Sequence, residues 1–270
     1  YGMVEPNAKL FRKLKITQQQ VDAAKDCDIV NSCLILKSEK YEEEQFQGRN
    51  DFKYVYSDTM QVMSSKMFHK CETLKNVALP NMIDMGECEF NLFGSEGNLY
   101  RCFNLSKLYA PRLQCVSGGC FQNCVSLRSI FLLHTKRLGD SAFCSCNSLK
   151  RAVFPNLLEV ECFAFLDCIL LEEFDAPQLQ SARQSFHNCE SLKFVNIPQQ
   201  VRLQCESNCK ACFICRGEVK EALERGKQLV KRPMAKFIGK TFNSWMHLDL
   251  KVEKLNRVQN SWKQSVSDLL

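Results

Sequence analysis

"SFHNCESLKFVNIP" at residues 185–198 restates a phrase already spelled by "AFCSCNSLKRAVFP" at 142–155 and "CFQNCVSLRSIFLL" at 120–133. Aligned on F-x-x-C-x-x-L, the copies are Phe68/Cys71/Leu74, Phe121/Cys124/Leu127, Phe143/Cys146/Leu149, Phe165/Cys168/Leu171 and Phe186/Cys189/Leu192. A sixth, Leu99/Cys102/Leu105, has lost only the phenylalanine. From Cys102 onward the cysteines lie 22, 22, 22 and 21 residues apart; the first gap, Cys71 to Cys102, is 31 because it carries the extra stretch "CEFNLFGSEG". A period this regular points to one supersecondary unit used repeatedly.

Several copies continue as L-x-x-h-x-h-P: Leu74, Val77, Leu79, Pro80; Leu149, Ala152, Phe154, Pro155; Leu171, Phe174, Ala176, Pro177; Leu192, Val195, Ile197, Pro198. The h-x-h step has the period of two of a short strand, and the proline after it ends the strand and turns the chain. Each unit is therefore a strand, a corner and a return. Alone it cannot bury its apolar residues, but stacked units place every Phe, Cys and Leu against its counterpart one layer away.

"SAFCSCNSLKRAVFP" (141–155) and "QSFHNCESLKFVNIP" (184–198) resemble the units of BspA-like leucine-rich repeats over roughly residues 52–216. That resemblance implies an α/β repeat solenoid, a leucine-rich-repeat horseshoe with a parallel sheet on its concave face. It also implies a scaffold that binds another macromolecule. The predicted organisation is an N-terminal cap or linker over 1–51, the solenoid of six clear repeats and a degenerate capping repeat over 52–216, and a basic helical extension over 217–270.

Seventeen cysteines raise the question of a disulfide framework. The count is odd, and disulfide-dense scaffolds are short, whereas a chain of 270 residues with 45% hydrophobic content can build a core without covalent help. Six cysteines share one repeat position, where free cysteine serves as a small buried hydrophobe. A second group, "CESNCKACFIC", holds Cys205, Cys209, Cys212 and Cys215 at C-x3-C-x2-C-x2-C spacing, which invites a zinc or iron–sulfur reading. The repeat register offers the other reading. Cys209 follows Cys189 by 20 residues, so Cys209, Cys212 and Cys215 fall where earlier copies place C, L and the first strand residue, and "ACFICR" becomes a closing strand. The register reading is preferred and no cofactor is expected; a metal on the four cysteines is the alternative.

At the ends, "NAKLFRKLKITQQQVDAAKD" suits helix, "IVNSCLILK" a strand and "FKYVYSD" the first strand of the stack. "GEVKEALERGKQLVKRP" spaces Val219, Leu223 and Val230 for an amphipathic helix ending at Pro233. Leu255, Val258, Trp262, Val266 and Leu269 form a second helical stripe, and "HLDLKVEK" between them alternates like a strand. Residues 216–270 hold twelve Lys/Arg against six Asp/Glu, which accounts for the whole net charge of +6. The acids are interspersed and no RNA-binding aromatic signature is present, so nucleic acid is not the expected partner. No apolar run reaches transmembrane length.

Residues inside each h-x-h step face away from the core and form a column Ala78, Tyr109, Phe131, Val153, Asp175 and Asn196. Two positions earlier lie Asn76, Lys107, Ser129, Arg151, Glu173 and Phe194. The candidate binding face is Lys107, Tyr109, Phe131, Arg151, Val153, Glu173, Asp175 and Phe194, an expected exposed aromatic strip rimmed by charge, the composition that protein interfaces favour. The insertion "CEFNLFGSEG" is a second candidate. Phosphate-binding glycine loops, zincin helices, G-x-S-x-G and paired catalytic carboxylates are absent, and His69, His134, His187 and His247 have no triad or ligand spacing. Neither catalysis nor a small-molecule substrate is expected. His69 and His187, just after the repeated phenylalanine, are expected at the solvent edge. Reduced thiols favour a cytoplasmic setting. A surface or secreted adhesion role, which the resemblance also implies, stays open because a signal upstream of Tyr1 would not be visible.

Overall fold

A computed structural model describes residues 8–86, 97–205, 209 and 211–230. The second helical stripe, the "HLDLKVEK" segment and nearly all of the insertion lie outside the described residues. Eight short strands form the principal parallel surface: β2 (Cys33–Ile35), β3 (Tyr54–Tyr56), β4 (Asn76–Ala78), β5 (Lys107–Tyr109), β7 (Ser129–Phe131), β9 (Arg151–Val153), β11 (Glu173–Asp175) and β13 (Phe194–Asn196). A hairpin partner, β1 (Asp28–Val30), runs antiparallel to β2 at the amino-terminal edge. The stack thus begins one strand before "FKYVYSD".

Pairing is in strict register, with Tyr54 beside Asn76, Asn76 beside Lys107, Ser129 beside Arg151 and Glu173 beside Phe194. The middle residue of each strand points into the core: Leu34, Val55, Val77, Leu108, Ile130, Ala152, Phe174 and Val195 are all buried. After the proline corner the return leg makes a second, narrower parallel ladder, absent from the sequence reading, of β6 (Cys115–Val116), β8 (Arg137–Leu138), β10 (Glu159–Val160) and β12 (Ser181–Ala182). The principal ladder divides: β5 pairs only with β4 and β7 only with β9, so adjacent turns are not joined by strand hydrogen bonds there.

The repeated phenylalanines form a ladder of rings. Phe121 stacks on Phe143 at 5.0 Å, Phe143 on Phe165 at 5.4 Å and Phe165 on Phe186 at 5.6 Å, with interplanar angles of 4°, 6° and 7°. Earlier in the chain Phe46 stacks on Phe68 at 5.5 Å, so a rung stands within the segment read as cap or linker. At the other end Phe213 meets Phe186 edge-on at 6.2 Å.

The repeated cysteine is more than a small hydrophobe. Each Sγ–H donates to a carbonyl one turn earlier: Cys71 to Phe46, Cys102 to Phe68, Cys124 to Leu99, Cys146 to Phe121, Cys168 to Phe143 and Cys189 to Phe165, all at 3.0–3.2 Å. The same carbonyl of Phe121 also accepts the Cys124 N–H at 3.0 Å, so both its lone pairs are used inside a dry core. Leucine in that place would fill space but leave an acceptor short of a partner. The residue before each ladder cysteine, Lys70, Arg101, Asn123, Ser145, Asp167 and Asn188, has φ between 56° and 62°. This left-handed corner is what Asn and Asp tolerate best among residues with a side chain. All six ladder cysteines are free thiols, while Cys115 at the start of β6 is disulfide-bonded.

Both ends of the stack are covered. Helices α1 (Ala8–Leu14) and α2 (Gln18–Ala23) break at Lys15, which has φ of 59°, and Thr17 begins α2 with a reciprocal capping box to Gln20. Leu10, Phe11, Leu14, Ile16 and Val21 pack on Cys33, Ile35, Tyr54, Tyr56 and Ala78, the outward residues of β2–β4. The concave side is therefore closed by the chain's own helices at its first turns. At the carboxy-terminal end α3 (Val219–Val230) lies along β13, with Ala222 buried and Val219 and Leu223 packed on the main core. Arg225 Nε donates to the Lys193 carbonyl at 2.9 Å.

Candidate binding face and cysteine cluster

The register places the sequence-derived columns on one side of the sheet, but their exposure differs from expectation. Phe131, Val153 and Glu173 are buried, at 8%, 3% and 5% exposure, and Lys107, Tyr109, Arg151, Asp175 and Phe194 are half-buried. The exposed aromatic strip expected around Phe131 and Val153 is therefore corrected. On a concave surface, side chains rooted on strands about 4.8 Å apart converge toward their tips, so each shields its neighbours. None of Tyr109, Phe131, Arg151, Glu173 and Phe194 is free of partners. The two flanking charges also meet: Arg151 Nη2 lies 3.2 Å from Glu173 Oε1, and Asn196 Nδ2 donates to Asp175 Oδ1 at 2.8 Å. Burial pushes the Asp175 carboxyl up, and the Asn196 hydrogen bond opposes that shift.

Where β5 and β7 fail to pair, a cleft of about 490 Å³ opens at the start of the strands, lined by Lys75, Asn104, Ser106, Lys107, Ser126, Arg128, Ser129 and Ser148. Some basic residues of the solenoid meet an acid one turn away, as in Arg137–Glu159 at 3.1 Å and Lys150–Glu172 at 3.7 Å. The cleft lining has three cations, four serines, an asparagine and no carboxylate. Lys13 of α1 adds to this field: burial first, and then the charge of Lys107, bring its ammonium down to about 8. Of the cleft residues, the sequence reading named only Lys107 as a candidate. The signal available was the lack of an acid at the registering positions of the neighbouring turns.

The histidines expected at the solvent edge are buried, at 2% for His69 and 8% for His187. The His69 ring stacks on Tyr100 at 5.0 Å, and its Nδ1 lies 2.9 Å from Gln47 Oε1.

The closing strand expected over "ACFICR" does not form; residues 211–217 are bends and turns, ending at Gly217 with φ of 75°. Phe213 still takes a core place, but the four sulfurs of Cys205, Cys209, Cys212 and Cys215 come together, all within 4.8 Å of one another. A strand would send alternate side chains to opposite faces, whereas a tight turn can aim residues three apart at one point.

A parallel solenoid of short strands, cornered by a recurring Phe/Cys/Leu unit, is the architecture of a leucine-rich-repeat protein. The sequence matches the BspA type leucine rich repeat region in six copies, over residues 39–99 and 95–214, and the chain belongs to that family. Among solved structures it is similar to a leucine-rich repeat protein from Bacteroides ovatus, with 20% identity and a TM-score of 0.45, covering 62% of this chain and 42% of that one. It is also similar to the T. pallidum leucine-rich repeat protein TpLRR, with 18% identity and a TM-score of 0.47, covering 72% of this chain and 91% of that one. No curated protein matches. Among the described residues, no helix is long and apolar enough to cross a membrane.

Proposed function

We propose that this chain is a non-enzymatic scaffold that holds a protein partner on the concave side of its sheet. The partner inserts an acidic segment into the cleft of Lys75, Lys107 and Arg128. The observation that carries the reading is the lining itself, three cations and a ring of hydroxyls without one carboxylate. Because α1 and α2 occupy the concave side over β2–β4 and Tyr109 of β5 packs against the same cluster, the docking surface is the cleft at the start of β5 and β7. The hydroxyls of Ser126, Ser129 and Ser148 and the second N–H of the Asn104 amide, whose first donates to the Glu72 carbonyl, supply hydrogen bonds that a carboxylate can accept, and the cations steer its approach.

The test is a binding titration of a labelled glutamate-rich peptide against the wild-type chain and the variants Lys107→Glu and Arg128→Glu. Wild-type binding should weaken with salt, and each reversal should cost at least about tenfold in affinity, ~1.4 kcal/mol. A matched reversal outside the cleft, Lys227→Glu on α3, should leave affinity unchanged. Equal loss from all three reversals would mean that only net charge is being read, and the reading would fail.

A further inference from the structure

Cys205, Cys209, Cys212 and Cys215 arrive at one point from a loop and a turn, and the ladder does not use them as it uses the other cysteines. Cys209 holds the repeat's cysteine position, yet its sulfur does not turn to the Phe186 carbonyl; it lies 3.6 Å from Asn188 Oδ1 and faces the other three sulfurs. Cys212 and Cys215 stand where other turns place leucine and the first strand residue. The Sγ atoms of Cys205 and Cys212 are 3.6 Å apart, and all four residues are free thiols. A tetrahedral zinc with Zn–S arms of about 2.3 Å places its sulfurs about 3.8 Å apart, so four sulfurs within 4.8 Å need close by no more than about 1 Å to meet it. An iron–sulfur cluster puts its own iron and sulfide atoms between the thiolates and needs a wider cage.

The surroundings suit a bound cation. Four thiolates within 4.8 Å of one another would repel; a divalent cation removes that repulsion, and the thiol protons leave to solvent as it binds. His187 Nδ1 lies 3.7 Å from Cys205 Sγ, placed to steady that sulfur from behind. Cys215 is exposed, which gives a metal ion access from solvent.

We propose that Cys205, Cys209, Cys212 and Cys215 form a structural zinc site that closes the carboxy-terminal end of the solenoid. The metal pins the turn over 211–217 against the last repeat and fixes the point where the chain enters α3.

The experiment uses the full chain purified under reducing conditions without chelator. Elemental analysis should give one zinc per chain, and replacement by Co2+ should give the absorption of a tetrahedral tetrathiolate site. Cys205→Ser and Cys212→Ser should lose the metal and lower the melting temperature, whereas Cys146→Ser in the ladder should keep it. Should the serine variants fail to fold, the Co2+ spectrum of the wild-type chain decides. The proposal is overturned if the folded wild-type chain carries no zinc and takes up neither Zn2+ nor Co2+, or if zinc persists in folded Cys205→Ser and Cys212→Ser chains. A tetrahedral Co2+ spectrum without thiolate charge-transfer bands would overturn it equally.

Discussion

Phe143 sits between the rings of Phe121 and Phe165, at 5.0 and 5.4 Å, and beside Phe154 at 6.1 Å, with no solvent exposure. Truncation to alanine removes a fully buried ring whose neighbours, fixed on both sides by the coil, cannot collapse into the space. A core Phe→Ala change of this kind costs about 3–5 kcal/mol. Phe143→Leu keeps most of the buried area but loses two stacked pairs, each worth ~0.5–1.5 kcal/mol beyond area, so it should cost about 1–3 kcal/mol. Urea denaturation followed by circular dichroism reads both values. A double-mutant cycle with Phe165→Ala, a direct neighbour, should show coupling of ~0.5–3 kcal/mol, while a cycle with Phe68→Ala, in a distant turn, should be additive. A cost for Phe143→Ala below about 1 kcal/mol, the scale of an ordinary single substitution, would refute the ring ladder as the spine of the core.

Gly226→Ala should weaken the carboxy-terminal end even though alanine is the better helix former. A Cβ there would collide with the Val195 carbonyl oxygen, and faster amide exchange in β13 would report the displacement of α3. Burial works to raise the Asp26 carboxyl, but the Lys37 N–H and the Ser38 and Tyr41 hydroxyls overcome it and bring it to about 2. Its folded value lies below the unfolded one, so its stabilisation is complete above about pH 4 and disappears as pH falls toward 2. Asp26→Asn should therefore lower the melting temperature at pH 7 and leave it unchanged near pH 2. Burial pushes the ladder thiols up, to about 12 at Cys71, so alkylation at pH 8 should label the half-buried Cys162 in the native chain and reach Cys71, Cys102, Cys124, Cys146, Cys168 and Cys189 only on unfolding. Equal native labelling of these seven would contradict the buried ladder.

The repeat was legible because a period near 22 residues repeats chemistry as well as spacing: Phe, Cys and Leu recur in the same order, and each structural turn returns them to the same depth. The columns of the sheet followed from the same register, since a one-residue slip would have turned every strand over. Exposure was not legible. Whether Phe131 meets solvent depends on curvature and on what lies across the concave side, and neither is written in a single repeat. The amino-terminal start was hidden because Phe46 heads a unit with Arg49 where the others have cysteine, and the mismatch masked the rung. At residues 205–215 two patterns competed. The repeat register favoured a strand, and the C-x3-C-x2-C-x2-C spacing favoured convergence; the tight turn ending at Gly217 decides for convergence.

The most direct test of the binding account is a hydrogen-exchange footprint of the chain with and without a saturating glutamate-rich peptide. Protection confined to residues 104–107 and 126–129, with neighbouring β4 and β9 affected less, is the predicted result. Protection centred on α3 or on the return-leg strands β6, β8, β10 and β12, with the cleft unchanged, would contradict it.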